Sequence, residues 1–199
     1  MTKQIKEPKS INEDLAWLLG VICGDGCLEK YGKSRHQYRI SLSTIDKNFG
    51  KLFVMRINRV FKLNEKFNPR IIVNNNNSKY YKVQIDGKQL YEFFMKFGTF
   101  GCFKWKVPSQ ILNGSTKIKQ SFLRGYYDSE GSINIYRKKY RKIRAVSVNK
   151  DGIKGIQKLL NDLKIDINLI KEKNCYSLNI YKEKQINHFN NSVGFSFKN

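Results

Sequence analysis

Two short segments of the chain end in the same pattern, a carboxylic acid followed by glycine. Residues 18–26 (LLGVICGDG) and 123–131 (LRGYYDSEG) place Asp25 and Glu130 at matching positions. Two carboxylates held close together repel each other, and a cation between them removes that repulsion. Mg²⁺ prefers oxygen ligands, and carboxylate-bound ions can activate water and stabilise the leaving oxygen of a phosphodiester. The repeated acid therefore predicts a divalent-metal site suited to phosphodiester hydrolysis.

The acids follow segments whose apolar pattern predicts helices, each with a glycine in its interior. An interior glycine costs about 1 kcal/mol relative to alanine. Gly20 and Gly125 are therefore best explained by a close approach of two helix backbones, which would bring Asp25 and Glu130 to the same end of the pair. The predicted helices are residues 15–24 and 120–129, N-capped by Asn12 and by Ser115 or Thr116.

The elements after each motif also repeat. Alternating and helical patterns predict the order α-β-β-α-β-β-α in both halves, with shorter turns in the second. Asp46 is expected to cap the second helix of the first half, and Asp151 to open its counterpart. The expected division is residues 1–100 for the first half, 101–117 for a linker and 118–199 for the second half.

The charge balance favours a polyanionic partner. The chain has 38 Lys and Arg against 16 Asp and Glu, a net charge of +22, which attracts nucleic acid at long range. No apolar run is long enough for a membrane span and no signal peptide is recognisable. An intracellular protein is expected, cytoplasmic in a prokaryote or in the matrix of an organelle. Four scattered cysteines and two histidines do not form a zinc pattern.

The two repeated segments resemble the two LAGLIDADG motifs of the single-chain LAGLIDADG homing endonucleases. The resemblance extends from about Glu13 to the C-terminus. The family motif has two acids, and the position of the first is occupied by Cys23 in one copy and by Asp128 in the other. It implies an α+β fold of two pseudo-symmetric halves, each with a four-stranded antiparallel sheet, forming a saddle over the DNA major groove. It also implies a monomer that cuts both strands and leaves short 3′ overhangs.

The same resemblance implies two or three Mg²⁺ ions, with Mn²⁺ as a substitute and Ca²⁺ supporting binding without cleavage. The last acid of each motif is the metal ligand of the family, which assigns this role to Asp25 and Glu130. The neighbouring carbonyl groups of Gly24 and Ser129 are expected to add oxygen ligands.

Family members usually place a basic residue near each scissile phosphate. In this chain the linker segment that ends at Pro108 contains two candidates, Lys104 and Lys106, and the C-terminus contains a third, Lys198. Thr44 and Ser147 are the expected polar residues of the pocket.

Strand residues that point away from the helices are expected to contact double-stranded DNA, with Arg and Gln suited to bases and Lys to phosphates. The two halves carry different side chains, so an asymmetric target is expected. The expected DNA-contacting residues are Lys30, Lys33, Arg35, Gln37, Arg39, Ser41, Lys79, Tyr81, Lys82, Gln84, Asn134, Tyr136, Lys138, Tyr140, Lys142, Arg144, Lys171, Lys173 and Tyr176.

Two other functions fit the same fold. One is an intron maturase that binds its own intron RNA, and the other is a DNA-binding regulator without catalytic activity. Retention of both motif acids favours cutting over either alternative. An intein is not expected, because the two repeats account for the length of the chain.

Overall fold

The computed structural model describes residues 5–32, 37–63, 70–73, 79–136 and 140–197. The predicted order α-β-β-α-β-β-α and the α+β class are confirmed in both halves, and a short helix, α4 (Ser109–Leu112), lies within the expected linker. The first half contains α1 (Glu13–Cys23), β1 (Gly26–Tyr31), β2 (Gln37–Thr44), α2 (Lys47–Phe61), β3 (Arg70–Val73), β4 (Lys79–Asp86) and α3 (Lys88–Met95). The second half contains α5 (Thr116–Glu130), β5 (Gly131–Tyr136), β6 (Tyr140–Ser147), α6 (Lys150–Asp162), β7 (Asn168–Lys171), β8 (Tyr176–Ile180) and α7 (Glu183–Ser192).

The motif helices α1 and α5 pack against each other through their interior glycines. A Cβ atom on Gly20 would lie 2.1 Å from the carbonyl oxygen of Phe122, and one on Gly125 would lie 2.1 Å from that of Trp17. No side chain fits such spaces, so the two backbones are in direct contact. Nearly all of α1 is buried as a result, because it serves the cores of both halves at once.

Each half forms a four-stranded antiparallel sheet covered by helices on one face. The strand orders are β1-β2-β4-β3 and β5-β6-β8-β7. Ile40 and Leu42 of β2 are fully buried beneath the first set of helices, and Ile143 and Ala145 of β6 are buried in the second half. Because side chains alternate along a strand, the neighbours of these residues lie on the opposite face, which no described helix covers. That face is called the open face of each sheet.

The helix starts agree with the sequence at three positions and differ at a fourth. Ser115, one of the two residues predicted to cap α5, is its N-cap, although its side chain makes no capping hydrogen bond. Asn12 accepts a hydrogen bond from Leu15 N, and Asp46 accepts from Asn48 N, so both predicted caps are confirmed. The expectation that Asp151 opens α6 is wrong by one residue, because the helix begins at Lys150. Asn149 is the N-cap, because its Oδ1 accepts from Gly152 N while its Nδ2 donates to the carbonyl of Trp105 at 2.6 Å.

The segment that follows the first half packs into the second half. Trp105 is buried against the start of α6, where a Cβ on Gly152 would lie 2.7 Å from its ring. Its ring also contacts Tyr126 of α5 at a centroid distance of 5.4 Å. Residues on either side of Trp105 are thereby held near the C-terminal end of α5.

Within the part of the chain that the structure describes, no helix has the length and apolarity needed to cross a membrane.

The close approach of the motif helices predicts a strong effect of one added methyl group. Gly125→Ala would place Cβ against backbone atoms of Trp17, which cannot move without separating the helices. We expect the free energy of unfolding to fall by at least about 3 kcal/mol, measured by urea denaturation. Gly87→Ala is the matched control, since its nearest neighbour would be Leu90 Cβ at 3.8 Å. Equal stability of the two variants would contradict direct backbone contact.

Candidate active site

Asp25 and Glu130 lie next to each other where the motif helices end. α1 finishes at Cys23 with Gly24 as its C-cap, and Glu130 is the last residue of α5. A Cβ atom on Gly24 would lie 2.6 Å from Ser129 Cβ and 3.1 Å from Glu130 Cγ. A larger residue at position 24 would therefore push the two acidic ends apart.

Burial makes both carboxylates unusually hard to ionise. Asp25 is exposed to solvent in a concave cleft, where surrounding protein atoms still displace much of its water, and this burial raises its pKa to about 6. The pKa of Glu130 is raised to about 7, first by burial and then by the negative charge of Asp25. No described lysine, arginine or histidine forms an ion pair with either carboxylate.

The two carboxylates fit Mg²⁺ better than an ion that requires three or more side-chain ligands from the protein. The described residues contain no group of three or more His, Cys, Asp or Glu side chains placed to hold an ion. Mg²⁺ is commonly bound by one or two carboxylates, with water and phosphate oxygens completing its shell. A cation between Asp25 and Glu130 would also offset their mutual repulsion and the negative ends of the two helix dipoles.

A cleft of about 780 Å³ opens beside Asp25 and is formed by both halves. Its polar wall includes Ser43 and Thr44, so the expected pocket residue Thr44 lies in the cleft. Two features of the cleft were not expected from the sequence, the presence of Asp46 and an apolar wall. The wall includes Ile45, Phe49, Ile133, Ile135, Phe195 and Phe197. The C-terminal aromatic residues carry no motif that would have indicated this location.

Asp128, the other acid of the second motif, is held by hydrogen bonds from two distant parts of the chain. It accepts hydrogen bonds from Trp17 Nε1 at 2.7 Å, from Ser196 N at 2.7 Å and from Ser196 Oγ. Burial raises the pKa of Asp128, while the hydrogen bonds from Ser196 and Trp17 act in the opposite direction. Asp128 therefore ties α1 of the first half to the C-terminal segment of the second.

Two of the three expected catalytic lysines, Lys104 and Lys106, do not line the cleft. Lys104 and Lys106 are exposed on either side of Trp105, and Lys106 Nζ lies 3.7 Å from Asp151 Oδ2. Lys198 lies outside the described residues. Ser147, the second expected pocket residue, accepts a hydrogen bond from Asn149 N at 3.1 Å through its Oγ.

The register shows which expected DNA-contacting residues share the open faces. In the first sheet, the expected residues that face away from Ile40 and Leu42 are polar or basic. Three carboxylates on or beside the open faces were not expected from the sequence: Glu29 and Asp86 in the first half, and Glu172 in the second. The expected residues on the open faces are Gln37, Arg39, Ser41, Lys82, Gln84, Asn134, Lys142 and Arg144.

Five residues that were expected to contact DNA lie instead on the sheet face that the helices cover, so these five predictions are wrong. Lys30, for example, is opposite Tyr38 and its Nζ lies 5.8 Å from the ring centroid of Tyr91 on α3. The sequence assignment miscounted the alternation, because each strand was placed without its cross-strand partner. The five residues are Lys30, Lys79, Tyr81, Lys171 and Tyr176.

Six other expected contacts cannot be placed on a face. Lys173 lies in the turn between β7 and β8. Lys33, Arg35 and Lys138 lie outside the described residues, as do the side chains of Tyr136 and Tyr140.

Residues 117–194 match the family described as LAGLIDADG-like domain. The fold is shared with the homing endonuclease I-DmoI, solved in complex with DNA and Mn. The two are 23% identical with a TM-score of 0.66, covering 94% of this chain and 98% of I-DmoI. Residues 117–194 are thus a LAGLIDADG-like domain. This domain includes the second repeated segment, residues 123–131, and the helices that precede the two repeated acids form the interface between α1 and α5.

Two curated relatives come from Methanocaldococcus jannaschii. An uncharacterised protein is 28% identical over 85% of this chain, which spans 63% of that relative's length. A probable translation initiation factor is 26% identical over 98% of the chain, which spans only 16% of that protein. The chain thus corresponds to a part of longer relatives.

The raised pKa values predict a specific dependence of stability on pH. Without divalent cations, folded Asp25 and Glu130 bind protons more tightly than the unfolded chain does. Their contribution to folding is therefore most favourable at low pH and is lost as pH rises through about 6 and 7. We expect an Asp25→Asn/Glu130→Gln variant to gain stability relative to the unsubstituted protein between acidic and mildly alkaline pH, measured by urea unfolding in EDTA. Parallel pH profiles would contradict the burial of these carboxylates.

Proposed function

We propose that the chain is a site-specific DNA endonuclease that hydrolyses one phosphodiester in each strand of a long, asymmetric duplex site. The observation that carries the proposal is the side-by-side placement of Asp25 and Glu130 at the junction of the two halves, where no cationic side chain of the described residues pairs with either acid. A single chain supplies both acids, so the proposed active form is a monomer.

The carboxylates of Asp25 and Glu130, with the carbonyl oxygens of Gly24 and Ser129, would hold the divalent cations. Bound Mg²⁺ supplies Lewis-acid stabilisation of the scissile phosphate and lowers the pKa of attacking water. The protein fixes the two acids through the rigid α1–α5 contact. Ser43 and Thr44 would hydrogen-bond water in the cleft, and Lys104 or Lys106 would approach the phosphate when DNA is bound.

The basic charge and the open faces support double-stranded DNA as the partner. A two-stranded ribbon fits the major groove of B-DNA. The net charge of +22 would give strong, salt-dependent binding by release of counterions from the phosphates. Solved structures of I-DmoI, which has the same fold, contain DNA with Mn and DNA with Ca. These complexes support divalent cations as cofactors of the proposed reaction.

The test is cleavage of a randomised duplex library in Mg²⁺, with the new ends sequenced. We expect double-strand breaks at one long asymmetric sequence, with 3′ overhangs. Asp25→Asn and Glu130→Gln should each lower cleavage by more than about 100-fold, because each removes a charged metal ligand. Both variants should still bind the site in Ca²⁺, since neither residue lies on an open face.

Glu183→Gln is the matched control, because it removes one exposed negative charge at the start of α7, away from the acid pair and from both open faces. It should cleave like the unsubstituted protein. Specific binding in Ca²⁺ with no cleavage in Mg²⁺ would refute the endonuclease and favour a regulator. Preferential binding of structured intron RNA would favour a maturase.

A further inference from the structure

The open face of the first sheet carries an arginine that is already fixed by a carboxylate. Arg39 Nε donates to Asp86 Oδ1 at 2.7 Å, and Nη2 donates to Oδ2 at 3.2 Å. The ring of Tyr31 stacks on the same guanidinium, with its centroid 3.9 Å from Arg39 Cζ. Asp86 holds one edge of the planar group, and Tyr31 covers one of its faces. Among the described residues, Nη1 has no hydrogen-bond acceptor, so the far end of the group is free.

The second sheet has a similar pair built from a different part of the chain. Arg144 Nη2 donates to Glu172 Oε1 at 2.6 Å. Glu172 lies in the turn between β7 and β8, where its N–H donates to the carbonyl of Cys175 at 2.8 Å. The hydrogen bond from Arg144, followed by one from Ser177, lowers the pKa of Glu172 to about 2. The carboxylate therefore remains charged and paired at neutral pH.

Acids at these two places work against general DNA affinity. Asp86 is 56% exposed and Glu172 38% exposed, so both would add negative potential where phosphates approach. Exposed ion pairs contribute little to stability. The larger effect expected of these pairs is to hold the guanidinium in one orientation. A guanidinium held in this way can donate two hydrogen bonds to O6 and N7 of guanine in the major groove. The paired acids thus favour selectivity over affinity.

The strand register places the two arginines at different distances from the motif helices. Arg39 is opposite Glu29, three residues after Gly26, whereas Arg144 is opposite Ser132, one residue after Gly131. The position in the first half that corresponds to Arg144 is Ser41. A strand advances about 3.4 Å per residue, close to the rise of one base pair. Arg144 is therefore about two base pairs nearer the centre of a bound duplex.

We propose that Arg39 and Arg144 each read a guanine, one in each half-site, and that Asp86 and Glu172 aim them. The two guanines lie at unequal distances from the cleavage centre, the one read by Arg144 being nearer by about two base pairs. This inference rests on the proposed DNA-binding function and names specificity-determining residues within it.

The test is selection of bound sequences from a randomised duplex library in Ca²⁺, so that no cleavage is needed. Arg39→Lys and Arg144→Lys keep the positive charge but lose the planar fork. Each should weaken the guanine preference at one position by about tenfold or more and leave the other half-site unchanged. Unchanged preference in both variants, or guanines at equal distances from the centre, would overturn the proposal.

Variants of Asp86 and Glu172 test whether these carboxylates orient the arginines or only stabilise the sheets. Asp86→Asn and Glu172→Gln should retain or increase total affinity, because each removes a negative charge, while the guanine preference at the matching position falls. If the pairs only stabilise the sheets, melting temperature changes and the preference stays, which would refute aiming. Lys82→Gln is the control on the same open face. It should weaken binding to all sequences alike and reduce the salt slope by about one.

The outcomes also separate this inference from the proposed function. A protein that selects no duplex sequence at all fails as a site-specific endonuclease. A protein that selects and cleaves one sequence, with no guanine at the two positions, keeps that function and contradicts only the assignment of Arg39 and Arg144.

Discussion

Direct backbone contact between α1 and α5 is the constraint on which the rest of the structure depends. Gly20 and Gly125 allow each helix to touch the carbonyl groups of the other, and Gly24 allows their ends to meet. The contact joins the two halves and, at the same time, sets the separation of Asp25 and Glu130. Their raised pKa values follow from the same arrangement, because the helices that hold the acids also exclude water from them. Folding therefore favours protonated Asp25 and Glu130, whereas the proposed chemistry needs them ionised. A bound cation would offset the cost of ionising both acids.

The two halves share a plan but are not equivalent. The first motif has Cys23 where the second has Asp128, and burial raises the pKa of the Cys23 thiol, which keeps it neutral within the core. Asp128 instead accepts a hydrogen bond from Trp17 of the first half. The guanidinium of Arg56 stacks on that indole at 4.6 Å and pairs with Asp14 at 2.9 Å. A polar network thus crosses the interface, which makes each half part of the other's support.

The sequence predicts the features that depend on local spacing. The glycine and acid of each motif, the order of elements and the caps at Asn12 and Asp46 all follow from short-range patterns. Features that depend on cross-strand register were not predictable in the same way. The side chain of Lys30 lies on the helix side because its partner on β2 is Tyr38, which only the paired sheet reveals. The ion pairs of Arg39 and Arg144 likewise join residues far apart in the chain.

The C-terminal segment is the clearest case of a feature without a sequence signal. Ser196 is held by Asp128, and the flanking phenylalanines line the cleft beside Asp25. Nothing in their spacing indicates a wall of the candidate active site, because their position follows from the packing of both halves. The sequence thus indicated Asp25 and Thr44 as residues of the cleft but not the C-terminal residues that form its wall.

The central claim is that Asp25 and Glu130 jointly hold a divalent cation. Titration of the protein with Mn²⁺ at pH 8, followed by electron paramagnetic resonance of the free ion, tests it without requiring a known DNA target. The account predicts saturable Mn²⁺ binding that is lost in Asp25→Asn and also in Glu130→Gln, but retained in Glu183→Gln. Unchanged Mn²⁺ binding in both acid variants would contradict it.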